Sequence, residues 1–326
     1  MTLSRRTLLA AAGACVAVPA LAEPPVLRLG ILQFGTVQWI ADVIRRHGLD
    51  TKHGFALQGA MLANTDAGRV SLMAGASDVI LSDWPFVAVQ RASGTKLSFV
   101  PFSSSSGGFM TARESPIHAL ADLRGRKIGV AGGPADKSWL VVQAAARLQG
   151  IDLAKEASPV YGAPPLLGAK LQQGELNAVL TFWNFAAKLE AAGFRQAISV
   201  SDCAAALGIP GNLSMVGFVF RQDWADSNRP VIDGFLAAVD EAEHLLAGSV
   251  DEWNALRPLM DAGDEVLFVG LRDRFQSGME RANAEEQLRG ATRLFALLRE
   301  TGGAQATGGI DTLPPDVFWP VSHGAH

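Results

Sequence analysis

Cysteine is almost absent from this sequence, which has only Cys15 and Cys203 among its 326 residues. Cys15 lies in the apolar stretch at the N-terminus, so the rest of the chain keeps Cys203 alone. One cysteine excludes an internal disulfide and is too few for a metal site built from thiolates. We expect Cys203 to be a small, buried apolar residue rather than a reactive thiol.

An excess of charge of either sign is also lacking, since 28 basic residues face 32 acidic ones and the net charge is −4. No basic surplus indicates nucleic acid as a partner, and no block of like charges indicates a tail. The hydrophobic share of 48% and the length are enough for two globular domains, each with its own core.

Catalytic and metal-binding motifs are missing too. The sequence has no His-Glu-x-x-His and no Cys-x-x-Cys, and no histidine follows a predicted strand beside a serine, a cysteine or a carboxylate. The six histidines stand at positions 47, 53, 118, 244, 323 and 326. We therefore expect no catalytic residue, no cofactor and no metal ion.

Apolar runs long enough to cross a membrane do not occur after the first residues. Arg5-Arg6 precedes a weakly apolar stretch, and Ala20-Leu21-Ala22 offers small residues for cleavage. This pattern predicts a signal peptide over residues 1–22, cleaved near Ala22, and therefore a soluble periplasmic protein. The arginine pair resembles signals of the twin-arginine export route, and an ordinary secretory signal with two arginines is the alternative.

Predicted strands and helices alternate from residue 26 onward, beginning with a strand over 26–32 and a helix over 36–47. The stretch Ser103–Gly108, rich in serine and glycine, interrupts the alternation and suits a linker. A second α/β unit follows, up to a strand over 215–221, and the remaining third of the chain has helical spacing. The sequence thus predicts two α/β units with largely parallel sheets and a helical C-terminal region.

Three segments carry a resemblance to a known family: residues 75–83 (GASDVILSD), 119–130 (ALADLRGRKIGV) and 171–183 (LQQGELNAVLTFW). Together they resemble the substrate-binding proteins of ABC importers for nitrate, sulfonates, taurine and thiamine-pyrimidine precursors. The resemblance extends over about residues 26–221. It implies the two-lobed periplasmic-binding-protein fold of type II, with the helical C-terminal region packed on the first lobe.

The same resemblance implies how the chain divides between the lobes. The first lobe comprises residues 26–108 and 216–326, and the second comprises residues 109–215. Two crossings join the lobes, and the hinge residues there are Gly107, Gly108, Ser214 and Met215.

Ligands are expected beyond the carboxyl ends of the parallel strands, where helix N-termini offer unpaired N–H groups. The loop over residues 132–138 could hold an anion through its backbone N–H groups, with Lys137 and Ser138 beside it. The candidate ligand-binding residues on such loops are Gln33, Phe34, Gly35, Thr36, Ser82, Asp83, Trp84, Gly132, Gly133, Lys137, Ser138, Thr181, Trp183 and Asn184.

Each candidate also has a purely structural interpretation. Residues 33–36 could be an ordinary turn, and Asp83 either caps a helix or presents its carboxylate to a ligand amine or ring N–H. Trp84 either stacks on a ligand ring or cation or packs in the core, and Trp183 contacts the ligand or the other lobe. No arginine stands in the candidate loops, so the aromatic rings and Asp83 favour a planar, nitrogen-bearing organic solute.

The resemblance implies a monomeric binding protein that captures such a small-molecule ligand by hinge closure and delivers it to the permease of an ABC importer. An alkanesulfonate, taurine or nitrate is the alternative ligand class. One other function is a sensor or accessory subunit of the same fold, whose sign would be a cleft filled by its own side chains. Another is an exported enzyme of pyrimidine metabolism, although the cysteine-rich motif and reactive histidine of the yeast-type pyrimidine synthases are not found.

Overall fold

Two five-stranded β-sheets form the frame of the molecule. The structure is a computed structural model that describes residues 23–33 and 35–320. The predicted signal peptide, residues 1–22, and the candidate Phe34 lie outside the described residues. The strands are β1 Val26–Leu32, β2 Ala56–Leu62, β3 Val79–Asp83, β4 Leu97–Ser103, β5 Gly108–Thr111, β6 Lys127–Ala131, β7 Ser158–Gly162, β8 Ala178–Thr181, β9 Arg195–Ser199 and β10 Val216–Arg221.

Fourteen α-helices occur among the described residues, together with one 3-10 helix over Leu120–Leu123. The α-helices are α1 Val37–Arg46, α2 Leu49–Lys52, α3 Thr65–Met73, α4 Trp84–Ala92, α5 Lys137–Leu148, α6 Leu153–Glu156, α7 Pro164–Gln172, α8 Trp183–Ala191, α9 Val200–Ala206, α10 Gln222–Ser227, α11 Arg229–Gly248, α12 Val250–Met260, α13 Glu265–Met279 and α14 Ala284–Thr307. Within the part of the chain described here, none of them is both long and apolar enough to span a bilayer.

The first sheet has the strand order β2-β1-β3-β10-β4, and the second has the order β7-β6-β8-β5-β9. Within each sheet four strands run in one direction and one runs against them: β10 in the first sheet and β5 in the second. We call each sheet, with the helices packed against it, the first or the second lobe. The predicted α/β architecture with largely parallel sheets is confirmed.

Local sequence explains how the elements near the lobe junction form. The apolar residues Val79 and Ile80 of β3 are buried, as expected for a central strand covered on both faces. Helix α4 begins directly after this strand because the side chain of Asp83 accepts the backbone N–H of Phe86 as an N-cap. Pro85 suits the first turn, where its missing N–H has no intrahelical partner.

The antiparallel strands show where the chain passes between the lobes. The first passage, residues 104–107, leads from β4 into β5, which begins with Gly108 opposite Thr181, the last residue of β8. The second passage leads from α9 into β10, whose first residue, Val216, pairs with Asp83, the last residue of β3. Both passages therefore lie at the carboxyl ends of the parallel strands. Since the first passage is so short, these two sheet edges lie close together.

Helix α14 joins the lobes along one side. Its residue Phe295 packs against Trp84 of α4, with ring centroids 6.3 Å apart, and the helix also packs on α5 of the second lobe. One continuous cluster of buried apolar side chains therefore includes Ile80, Trp139 and Phe295. The expectation of two separately packed halves is wrong on this side, because α14 fills the space between them. Helices α11 and α12 pack on α1 of the first lobe, as predicted for the C-terminal region.

Gln287 of α14 holds the second passage in place. Its amide oxygen accepts the N–H of Ser214 at 3.0 Å, and its amide nitrogen donates to the carbonyl of Ser214 at 2.8 Å. Both residues are buried, so these two bonds satisfy backbone groups that water does not reach. Ser214 is thus tied to a helix, and Met215 beside it is half-buried; the hinge role of both stays a prediction.

Cys203 lies on α9 and is buried, as expected from the sequence. Burial raises the pKa of its thiol to about 11, and the nearby charge of Asp202 adds to the effect. A thiol with so high a pKa has little thiolate at neutral pH.

Gly107 provides a test of the first passage. A side-chain carbon placed on Gly107 would lie 1.7 Å from the carbonyl oxygen of Thr181. The backbone carbonyl of Gly107 also accepts the N–H of Val200. We predict that Gly107→Ala lowers the free energy of unfolding by about 3 kcal/mol or more, at the upper end of overpacking effects. Urea unfolding measures this change. Gly211→Ala is the control because no atom lies within 4 Å of that position, and an equal effect of both substitutions would contradict the tight packing at Gly107.

Candidate functional site

Asp83 is the centre of a charged cluster at the junction of the lobes. It ends β3 and is only 9% exposed. One carboxylate oxygen accepts the N–H of Phe86 at 2.9 Å. The other accepts hydrogen bonds from the guanidinium of Arg69 at 2.8 Å and from the ammonium of Lys137 at 2.6 Å. The helix-capping interpretation of Asp83 is therefore confirmed, and the same carboxylate also binds two cations.

Lys137 comes from the second lobe. Strand β6 ends at Ala131, and the loop after it contains Gly132 and Gly133, which have φ values of 91° and 121° that suit glycine. Asp136 caps α5 because its carboxylate accepts the backbone N–H groups of Ser138 and Trp139. Lys137 is the first residue of that helix and extends its side chain to the first lobe.

Arg69 is a member of the cluster that the sequence did not predict. It lies on α3, and its guanidinium also approaches the hydroxyl of Ser82 at 3.4 Å and stacks on Phe86 at 4.6 Å from the ring centre. The candidate loops contain no arginine, but Arg69 reaches the site from α3, which follows β2, through its long side chain. The position of Arg69 one turn into a helix after a predicted strand was the available signal.

The electrostatics of the cluster follow from burial and these contacts. Burial raises the pKa of the Asp83 carboxyl, but the charges of Lys137 and Arg69 and the hydrogen bonds outweigh it, so the pKa lies below its usual range. Burial raises the pKa of the Asp136 carboxyl, and the charge of Asp83 adds to the rise. Asp83 therefore stays ionised, and Asp136 carries the more easily protonated carboxyl.

The two candidate tryptophans are packed against other aromatic rings. Trp84 is fully buried against Phe295, so it has no surface free for a ligand in this conformation. Trp183 begins α8 of the second lobe, and its ring lies 6.2 Å from that of Trp39 and 6.3 Å from that of Phe275. Trp183 thus contacts the first lobe, which is the structural interpretation of this residue.

The remaining candidates lie at the ends of other strands and at the starts of the helices that follow them. In the loop after β1, Gln33 is exposed, Gly35 and Thr36 are half-buried, and Thr36 precedes α1 without capping it through its side chain. Thr181 ends β8 and is buried, whereas Asn184 on α8 is half-buried. Of the candidates, the structure brings Ser82, Asp83 and Lys137 together around Arg69 and the ion pair.

A second polar contact closes the lobes further along the junction. Helix α8 packs against α13, and Arg274 of α13 donates to Glu190 of α8 at 2.7 Å and to Gln196 of β9 at 3.3 Å. Beside it lies an open groove of about 420 Å³ between the two helices, lined in part by Glu190 and Glu265. Both glutamates are already paired with arginines. In residues 23–33 and 35–320 no group of three or more His, Cys, Asp or Glu could hold a metal ion.

A family profile described as NMT1/THI5 like matches residues 52–249, which is more than half of the chain. The chain belongs to this NMT1/THI5-like family. No curated protein sequence matches it.

Solved structures of similar fold agree with this membership. The periplasmic aliphatic sulphonate binding protein SsuA from Escherichia coli is 21% identical to this chain, with a TM-score of 0.68. The match covers 90% of this chain and 96% of the SsuA chain. The alkanesulfonate-binding protein SsuA from Xanthomonas axonopodis pv. citri, bound to MOPS, is 16% identical with a TM-score of 0.68, covering 91% and 99%. The periplasmic nitrate-binding protein NrtA from Synechocystis PCC 6803 is 16% identical with a TM-score of 0.57, covering 81% and 75%. The predicted two-lobed periplasmic-binding-protein fold of this NMT1/THI5-like chain is thereby confirmed.

The contribution of the Asp83 carboxylate to stability is predicted to depend on pH. Because its pKa is lower in the folded than in the unfolded chain, its contribution is complete above the unfolded value of about 4 and is lost as pH falls through the folded value. We predict that Asp83→Asn costs about 1–3 kcal/mol at pH 7, and that the difference from the wild type shrinks below about pH 4.

Urea unfolding at several pH values between 7 and 3.5 measures this difference. Asp226→Asn is the matched control, since Asp226 is exposed on α10. A difference between Asp83→Asn and the wild type that stays constant over this range would contradict the ionised, paired state of Asp83.

Proposed function

We propose that this NMT1/THI5-like protein is an extracytoplasmic solute-binding protein. It captures a small, nitrogen-bearing organic solute between its lobes and delivers it to the permease of an ABC importer at the membrane. The protein itself carries out no chemistry on the solute. The similarity of its fold to those of the sulfonate- and nitrate-binding proteins supports this role.

One observation carries the proposal: the contact of 2.6 Å between Lys137 and Asp83. Asp83 ends a parallel strand of the first sheet, and Lys137 begins the helix after a parallel strand of the second. In open α/β sheets ligands bind outside the carboxyl ends of the strands. The binding edges of two sheets therefore meet at these residues, which is the arrangement of a two-lobed clamp.

The clamp would work by hinge closure. In the open state the solute would bind first to the exposed carboxylate of Asp83, beside Arg69. Contacts from the second lobe, at Ser138 and Trp183, would then favour the closed state, because a ligand shifts an equilibrium only by its differential contacts with the two states. The junction described above corresponds to the closed arrangement.

The proposed ligand class depends on which charged group of the cluster, the carboxylate of Asp83 or the guanidinium of Arg69, could bind a solute. Arg69 is held by Asp83 and by its stacking on Phe86, so its charge is already compensated. A nitrogen-bearing solute fits the carboxylate of Asp83 better than a sulfonate or nitrate does. Because Arg69 is a cation beside Asp83, an anionic solute is the alternative, and a ligand screen must include one.

A second candidate function is the sensor or accessory subunit without a ligand. It is favoured by the packing of the junction, where Asp83 and Lys137 satisfy each other and Trp183 packs on Trp39. Such a protein would bind a protein partner and would not respond to small solutes.

A thermal-shift screen of amines, nitrogen heterocycles and sulfonates tests the solute-binding role. We predict that one class raises the melting temperature by several degrees, because ligand at 100 times its Kd adds about 2.7 kcal/mol to the stability. Small-angle scattering with the same ligand should show a smaller or equal radius of gyration. Asp226→Asn should bind as the wild type does, and Asp83→Asn should lose at least tenfold in affinity. No shift with any class would favour the accessory subunit.

A further inference from the structure

We propose that Lys137 occupies the position of a cationic nitrogen of the solute, so that the site recognises a protonated amine and the lysine is its built-in competitor. The inference rests on the proposed solute-binding function and adds to it the ligand class and the control of the same site. Lys137 would hold the ligand-free lobes together until an amine replaces its ammonium group.

The partners of Asp83 divide into two kinds. The N–H of Phe86 and the guanidinium of Arg69 belong to the first lobe, as Asp83 itself does. Lys137 is the partner that comes from the second lobe. When the lobes separate, the first two bonds are kept and the bond to Lys137 is lost.

The separation leaves a specific gap in the coordination of the carboxylate. Asp83 ends a strand and caps a helix, so its position is fixed by the backbone on both sides. Lys137 reaches it through a flexible chain of four carbons. When the lobes separate, Asp83 therefore loses the ammonium group of Lys137. The ligand group that best fills the same place is another ammonium group. An anion would have to displace Asp83 from Arg69, and the buried carboxylate would then lose a cationic partner.

The charges around the junction lead to the same conclusion. Arg69 and Lys137 together balance the two carboxylates of Asp83 and Asp136, which lie close enough to influence each other. Without the lysine, Asp83 keeps the guanidinium of Arg69 as its cationic partner, and that guanidinium is shared with Asp66, whose carboxylate lies 3.6 Å from it. Burial strengthens the demand for a cation, since a buried carboxylate with one partner removed is costly.

The test compares the ligand affinities of Lys137→Met and the wild type by calorimetry. The probes are benzylamine, benzyl alcohol and benzenesulfonate, which share a benzene ring and are cationic, neutral and anionic. Methionine keeps an unbranched apolar side chain and removes the ammonium group. We expect Lys137→Met to bind benzylamine at least tenfold more tightly than the wild type, without a gain for the other two probes. Lys155→Met is the matched control, because that lysine is exposed in the second lobe.

Two further measurements separate the possible failures. The double variant with Asp83→Asn should lose the gain in benzylamine affinity, and thermal unfolding shows that each variant is folded. Benzylamine affinity that is unchanged or weaker in Lys137→Met, or a gain for benzenesulfonate, would overturn the inference and leave the solute-binding function standing if the screen has found a ligand. Absence of binding by every variant to every probe and every screened solute would overturn both.

Discussion

The buried carboxylate of Asp83 is the group on which the junction of the lobes depends. A carboxylate at this depth is stable only when its oxygens are hydrogen-bonded and its charge is compensated. One oxygen caps α4, and the other binds Arg69 and Lys137. A helix start, a side chain from α3 and the second lobe are thus all held by one residue at a strand end. The second cation that compensates this charge therefore comes from the opposite lobe.

The C-terminal helix sets the other limit on how the lobes can move. Helix α14 packs on α4 and α5 at once, and its Gln287 binds both backbone groups of Ser214 in the second passage. Beyond this helix, Phe318 pairs with Phe99 and returns the chain to the edge of the first sheet. Helix α14 therefore fixes the second lobe against the first along this side, whereas the Asp83 side is joined by the ion pair with Lys137.

How much of this site the sequence could predict differs from residue to residue. The ends of β3 and β6 are visible as apolar runs followed by capping residues, so Asp83 and Lys137 were both candidates. Arg69 was missed because it reaches the site from within a helix, where its long side chain decides its contacts. Trp84 was expected to stack on a ligand as one alternative, but Phe295, more than 200 residues later in the chain, covers it. Strand β5 is not predicted from the sequence because its four residues are too few for an alternating pattern.

The sequence by itself determined the alternation of strands and helices and most of their bounds, and it offered the helix cap at Asp83 as one of two interpretations. These features depend on periodicity and on hydrogen bonds between neighbouring residues, which a short stretch of sequence contains. Only the tertiary structure decided that Lys137 meets Asp83 across 54 residues of chain, that α14 bridges the lobes and that the tryptophans are enclosed. Such contacts depend on how complete elements pack against each other, and the local pattern of each element is compatible with several partners.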